Sequence, residues 1–256
     1  MTLVQTEPKK IYIRVDVPSP ITTAGIYHSP EQWLISLSSD GSNWITIADK
    51  NLGATQVYND GDTLSQANCG NYYQWWNNYG FPFTWAVTTS NTQVNAQNYW
   101  PWNYYSSSTF IIVSGDWSSV QNDNLWWWVT WTVEAMQWPC PTGFHVPSNN
   151  ENGALAIAMM ALWIDISNGN CMKTYMKMPF AGLRNYSSAG SDNQGAYGYY
   201  WSASAYGFNG AFLSYLGSST LDLQAWNQRS YGTSIRPFKN TPVQPDDSWT
   251  VLYPTS

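Results

Sequence analysis

The chain has 256 residues, enough to bury the core of one large domain or of one domain with an embellishment. Only 10% of them are charged, the net charge is −6, and the ten Lys and Arg form no run, which argues against a nucleic-acid partner. No apolar stretch of about 18 residues is present that could span a membrane, and the start, MTLVQTEPKKIYIRVDV, lacks the apolar core of a Sec signal peptide.

In place of charge the chain carries Asn, Ser, Gly, Thr, Tyr and 17 Trp. Residues 1–43 read as N-terminal strands. Residues 9–17 alternate apolar and polar until Pro18 and Pro20, and Ile35 and Leu37 alternate with Ser36 and Ser38. The Asp40-Gly41 pair predicts a hairpin turn into a further strand, Trp44–Ile47. Tyr72, Tyr73, Trp75 and Trp76 suit a short helix with one buried side. Residues 78–137 read as a Trp-rich insertion, ending near Trp126-Trp127-Trp128 and packed on the domain by its aromatics. Ser148-Asn149-Asn150-Glu151 has capping-box spacing, so a helix is predicted over Asn149 to Ile164. Leu155, Met159 and Leu162 lie on its buried stripe with Ala158 and Ala161 beside them.

Residues 181–238 mix two kinds of position. Leu183, Arg184, Trp201, Arg229, Gly232 and Arg236 look structural. Tyr206, Phe208, Asn209, Phe212, Ser214, Asp222, Asn227 and Tyr231 are small, polar or aromatic without core logic. Alternation predicts short antiparallel strands. Ala211, Leu213 and Tyr215 face one way and Phe212 and Ser214 the other, while Leu221 and Leu223 face the core and Asp222 faces out. An outward face of Tyr, Phe, Ser and Asn has the make-up of an antibody paratope. Residues 239–256 are a Pro-rich tail that wraps the surface.

Four patterns, NLGAT followed by GNYYQW, CPTGFHVPS, GLRNYSS followed by GYYWSAS, and NQRSYGTSIRPF, occur in this order. Together they resemble the C-type-lectin-fold domains related to formylglycine-generating enzymes. The Asn- and Ser-rich strands between WSAS and RSYG are similar to the variable proteins of diversity-generating retroelements, including those of phages and archaeal viruses. The resemblance spans about residues 44–77 and 138–238. It implies an α+β chain of C-type lectin fold over 1–256, with short antiparallel sheets, two helices and the Trp-rich insertion. It also implies that residues 181–238 form a variable ligand-binding region, rewritten at adenines by an error-prone reverse transcriptase. The eight residues without core logic named above, together with Gly210 and Ala225, are all reachable from AAY codons, which gives ten expected ligand-binding positions. Gln224, Trp226 and Gln228 are not, and rank lower as variable positions. Trp201, Arg229, Gly232 and Arg236 match frame positions.

Other chemistries are weakly supported. Gln244-Pro245-Asp246 and Trp226-Asn227-Gln228 resemble the QPD and WND of calcium-dependent lectins, but in reversed order and without the final carboxylate. His28 and His145 are the only histidines, and Cys69, Cys140 and Cys171 include no C-x-x-C, so a zinc site is not expected. No Cys follows Cys171, whereas formylglycine-generating enzymes use a late cysteine pair. The expectation is a binding protein with no cofactor, no metal and no catalytic residues. Its partner would be a protein or glycan receptor on a host or neighbouring cell, met from a virion, extracellular or cell surface. The competing expectations are a formylglycine-enzyme-like oxidase and a non-diversified sugar-binding adhesin.

Overall fold

The structure, a computed structural model, describes residues 18–84, 86–95, 105–123 and 139–254. The predicted strand over 9–17, Trp126-Trp127-Trp128 and part of the 78–137 segment lie outside the described residues. In chain order the elements are β1 (Gly25–Ser29), β2 (Leu34–Ser38), β3 (Ile45–Ala48), α1 (Gln66–Cys69), β4 (Asn71–Gln74), β5 (Phe81–Pro82), β6 (Thr88–Ser90), β7 (Thr109–Ile111), β8 (Phe144–His145) and α2 (Asn149–Ala161). They continue with α3 (Asn170–Tyr175), β9 (Leu183–Arg184), β10 (Ser191–Asp192), β11 (Tyr197–Tyr206), β12 (Gly210–Gly217), β13 (Thr220–Gln228), β14 (Gly232–Thr233), β15 (Phe238–Lys239) and β16 (Thr250–Pro254). The class is α+β, with few helices and mostly antiparallel sheets.

Three sheets carry the architecture. One runs β16-β1-β2-β3-β15-β8, a second β10-β9-β14-β4-β5, and the third is the ribbon β11-β12-β13. β6 and β7 form a small parallel pair. Helix α2 and the six-stranded sheet enclose one core cluster, in which Leu155, Met159 and Leu162 meet Ile26, Ile35, Leu37 and Phe238. A second cluster gathers Trp75, Trp76, Trp117 and Trp201 around Leu213 and Ile235. Three of its indoles donate to main-chain carbonyls. Trp201 Nε1 donates to the Tyr73 carbonyl at 2.8 Å, Trp75 Nε1 to that of Ser202 at 2.9 Å, and Trp117 Nε1 to that of Trp75 at 2.7 Å.

Several expectations need correction. The Tyr72–Trp76 stretch is not helical. The short helix lies just before it, at α1, and Asn71–Gln74 is a strand, because Tyr73 and Gln74 pair with Thr233 and Gly232. With α3 there are three helices among the described residues, not two. Ser36 and Ser38 do not face solvent. Ser36 Oγ lies 2.7 Å from Thr46 Oγ1 and donates to the Val243 carbonyl at 2.9 Å, because the C-terminal tail covers that face of β2. The tail does more than wrap the surface: Thr250–Pro254 adds a strand to the β1 edge. The described part of the 78–137 segment packs on the domain by its aromatics, as expected. Trp117 and Tyr105 stack at 4.7 Å inside the second cluster, and Gln74 is held by both NH and CO of Ile111.

Helix α2 starts as its sequence dictates and stops one turn short of Ile164. Ser148 Oγ accepts from the Glu151 amide at 3.2 Å, and the Glu151 carboxylate accepts from the Ser148 amide at 2.7 Å. His145, buried in β8, reaches the other carboxylate oxygen at 2.8 Å. Leu162 caps the helix, Trp163 takes a left-handed backbone at φ 61°, and Ala161 is exposed rather than packed beside the stripe. Burial alone would raise the Glu151 carboxyl, but the His145 contact and the Ser148 amide and hydroxyl bring it below the ordinary 4.5. A carboxyl held lower in the folded chain than in the unfolded one stabilises above its unfolded value. That stabilisation is lost as pH falls through the folded value. Urea midpoints are therefore expected to fall as the pH drops below about 4.5, and Glu151→Gln is expected to flatten that dependence. The variant keeps the cap but should cost about 1 kcal/mol at pH 7, because a neutral amide accepts more weakly than the carboxylate from the Ser148 amide and hydroxyl and from His145. A parent profile that stays level through this window rules the clamp out as a source of acid sensitivity.

Candidate functional site

The candidate site is the far end of the β11-β12-β13 ribbon. Over most of its length this ribbon is covered on both sides. Trp201, Ala203, Ala211 and Leu213 enter the tryptophan-rich cluster, while Tyr200, Leu216 and Leu223 enter the cluster under α2. That double cover overturns the outward placing of Ser214, which is only 3% exposed. Ser214 lies opposite Tyr200, where β13 bulges so that Leu223 and Gln224 together stand across from it.

The ribbon outruns its cover at the β11–β12 turn. β11 bulges at Ser202–Ser204, and the bulge is pinned to the start of α2: the Ala203 amide donates to the Pro147 carbonyl at 2.8 Å and the Asn149 amide to Ser204 Oγ at 3.0 Å. Beyond that anchor, Tyr206, Phe212 and Trp226 share one face. Tyr206 packs edge-on to Phe212 and stacks on Trp226, each at 4.9 Å between ring centroids. The rings stay in solvent: Tyr206 is 40% and Trp226 55% exposed, and Phe208 on the turn itself is 74% exposed. Exposed apolar residues are ordinary singly; here three exposed rings gather on one tip around the half-buried Phe212. Residues 205–214 and 223–228 carry no charged side chain. Asn209 and Asn227 supply amide groups at the edge, the latter accepting from the Gln228 amide at 2.8 Å.

The tip backbone is fixed from behind by Arg229. This wholly buried guanidinium donates from Nε to the Gly210 carbonyl at 2.9 Å and from Nη1 to Asp116 Oδ2 at 3.1 Å. Nη2 reaches Asp123, and the group lies 4.5 Å over the Trp75 ring. Burial raises the Asp116 carboxyl more than the guanidinium lowers it. Burial would also raise Asp123, but its hydrogen bonds to Arg229 and Gln121 bring it below the ordinary value. The Arg229 amide donates to the Asn209 carbonyl at 3.0 Å, closing the turn from the other strand.

The ten expected ligand-binding residues thus separate. Tyr206, Phe208, Asn209 and Phe212 come together at the tip. Gly210 is buried, and a Cβ there would stand 2.7 Å from the Tyr206 carbonyl oxygen, so this backbone has no room for a side chain. Ala225 is half-buried against the second cluster. Asp222 is exposed but pairs with Tyr215, well down the ribbon and beside the stacked rings of Tyr197, Tyr199 and Tyr215. Tyr231 packs on Tyr186 at 4.9 Å, beyond the end of the ribbon. Trp226, ranked low by codon reasoning, is the residue the sequence reading missed. Alternation from Leu221 and Leu223 puts position 226 on the outward side, which was the available signal, and Phe212 stands opposite it. Of the frame residues, Trp201, Arg229, Gly232 and Arg236 are all buried.

The remaining motifs stand apart from the tip. Gln244 Nε2 donates to the Ile21 carbonyl, and Asp246 Oδ1 accepts from the Ser248 amide, so the QPD triplet forms a tail turn away from Trp226-Asn227-Gln228. No group of three or more His, Cys, Asp or Glu among the described residues is placed to hold a metal ion. Cys69, Cys140 and Cys171 are free and buried, and burial raises all three thiols, Cys69 to about 12 and Cys171 to about 11. No helix among the described residues is long and apolar enough to cross a membrane. Compared with known proteins, the chain matches no family model, no curated protein and no solved structure.

Proposed function

We propose that the chain is a ligand- or receptor-binding protein that presents its ribbon tip on a C-type-lectin-like scaffold, as do the variable proteins of diversity-generating retroelements that its motifs resemble. The observation that carries this reading is the cluster of exposed Tyr206, Phe208 and Trp226 around half-buried Phe212, set on a backbone held by a buried arginine. Large stiff rings on a rigid support give contact area at little entropic cost, and such residues dominate interface energies at about 2 kcal/mol or more each. The neutral amides at the edge suit hydrogen bonding to a protein or glycan. Substitution at the tip leaves the core untouched, which is the property a diversified surface needs.

The test pairs the parent with a Phe208→Ala, Phe212→Ala, Trp226→Ala variant on a glycan array and against intact cells, with and without EDTA. Folding of the variant is checked by its melt. The expected result is parent binding that is insensitive to chelator and reduced at least ~10-fold in the variant. Full binding by a folded variant, or loss of parent binding in EDTA, overturns the reading. The retroelement part is tested separately by the flanking DNA. It requires a near-copy of the codons for 181–238 that differs only at adenines and lies beside a reverse-transcriptase gene.

A further inference from the structure

A second recess lies on the six-stranded sheet, built by segments the ribbon does not use. It is a cavity of about 240 Å³ walled by Leu52, Pro141, Phe144 and Pro237, with Trp33 and Lys50 at its rim. We propose that this recess binds a small organic carboxylate with an apolar or aromatic body.

Three observations carry it. The first is Trp33. Its ring is 60% exposed, and its backbone sits at φ 59° in the left-handed region that bulky residues rarely adopt. The Asp49 amide holds it there by donating to the Trp33 carbonyl at 2.9 Å. Conformations of this kind collect at ligand clamps, where the surrounding structure enforces them. The second is charge. Lys50 Nζ lies 3.8 Å from the Trp33 ring centroid and enters none of the described ion pairs. The neighbouring carboxylate, Asp49, is buried and bonded to His28 Nε2 at 3.0 Å. The rim is therefore positive while the walls are apolar, and an anion with a hydrophobic body satisfies both. The third is rigidity. Asn51 beneath the recess is held by Arg236 Nη2 at 2.8 Å and donates to the Cys69 carbonyl at 3.0 Å. The Leu52 amide donates to the Ile235 carbonyl at 2.9 Å. The site is formed before any ligand arrives, as small-molecule sites usually are, and its size lies below the roughly 300 Å³ at which drug-sized ligands begin.

The probe is phenylacetate, compared with its neutral isostere phenylacetamide by saturation-transfer NMR on the parent, Lys50→Met and Trp33→Gly. Glycine suits the left-handed backbone, so Trp33→Gly removes the ring while keeping the turn. Phenylacetate is expected to bind the parent and to lose at least ~10-fold in affinity in each variant. Phenylacetamide is expected to bind the parent more weakly and to be indifferent to Lys50→Met. No phenylacetate signal on the parent, equal binding of acid and amide, or equal phenylacetate binding by the parent and a folded Lys50→Met overturns the proposal. The ribbon-tip triple variant is expected to bind phenylacetate as the parent does, so this outcome is separate from that of the receptor assay.

Discussion

Trp201→Ala is expected to lower the unfolding free energy by about 3–5 kcal/mol, the range for truncating a large core aromatic. The indole is wholly buried in the second cluster, to which Trp75 and Leu213 also belong, so its removal leaves a cavity there. It also orphans the Tyr73 carbonyl, which accepts from Trp201 Nε1 at 2.8 Å. Urea denaturation of the parent, Trp201→Ala and Trp201→Phe measures it. The Phe variant should recover part of the loss by refilling volume while leaving the carbonyl unpaired. An alanine variant that melts with the parent places Trp201 outside the core.

Arg229→Met is expected to cost about 3–5 kcal/mol, because it strands the buried carboxylate of Asp116. Asp123 is half-exposed and regains water, so it adds little. Asp116 already titrates above its ordinary value through burial, and removing the guanidinium raises it further. A carboxyl whose folded value lies above its unfolded one favours the folded state as pH falls. The variant should therefore recover stability on acidification from pH 7. Adding Asp116→Leu should restore much of the loss at pH 7. If the double variant is no more stable than Arg229→Met, the stranded charge is not the cause.

Local chemistry made part of this fold legible. The Ser148–Glu151 box needs only four residues, and β2 and β3 follow from alternation around Asp40-Gly41. Where a distant segment decides, the sequence was silent. Tyr72 to Gln74 fits helical and strand periods equally, and residues 232–233 choose between them. Alternation does not show that Ser36 is buried, because residue 243, whose carbonyl accepts a hydrogen bond from its hydroxyl, is what covers it. At the site, Tyr206, Phe208 and Phe212 were readable as aromatics without core partners. Ser214 was misplaced because two bulges, at Ser202–Ser204 and at Leu223–Gln224, break the alternation on which its placing depended, and Trp226 was ranked low on codon grounds alone. The recess under Trp33 draws on four segments far apart in the chain and left no local trace.

The order in which strands find their partners sets how this chain reaches its structure. In the two larger sheets Gly25 stands opposite Pro254, Ile47 opposite Phe238 and Gly232 opposite Gln74. Each pairing closes a long loop, whose entropy is spent before the contact returns anything. Refolding is accordingly expected on the millisecond-to-second scale typical of non-local β topologies, and a nascent chain cannot finish either sheet until its last strands have been made. The β11-β12-β13 ribbon is made of chain neighbours, and hairpins of that kind close within about 1–10 μs. The displayed rings therefore ride on an element whose assembly does not limit the rate, and exchanging Phe208 or Trp226 alters the surface without slowing the search for the fold.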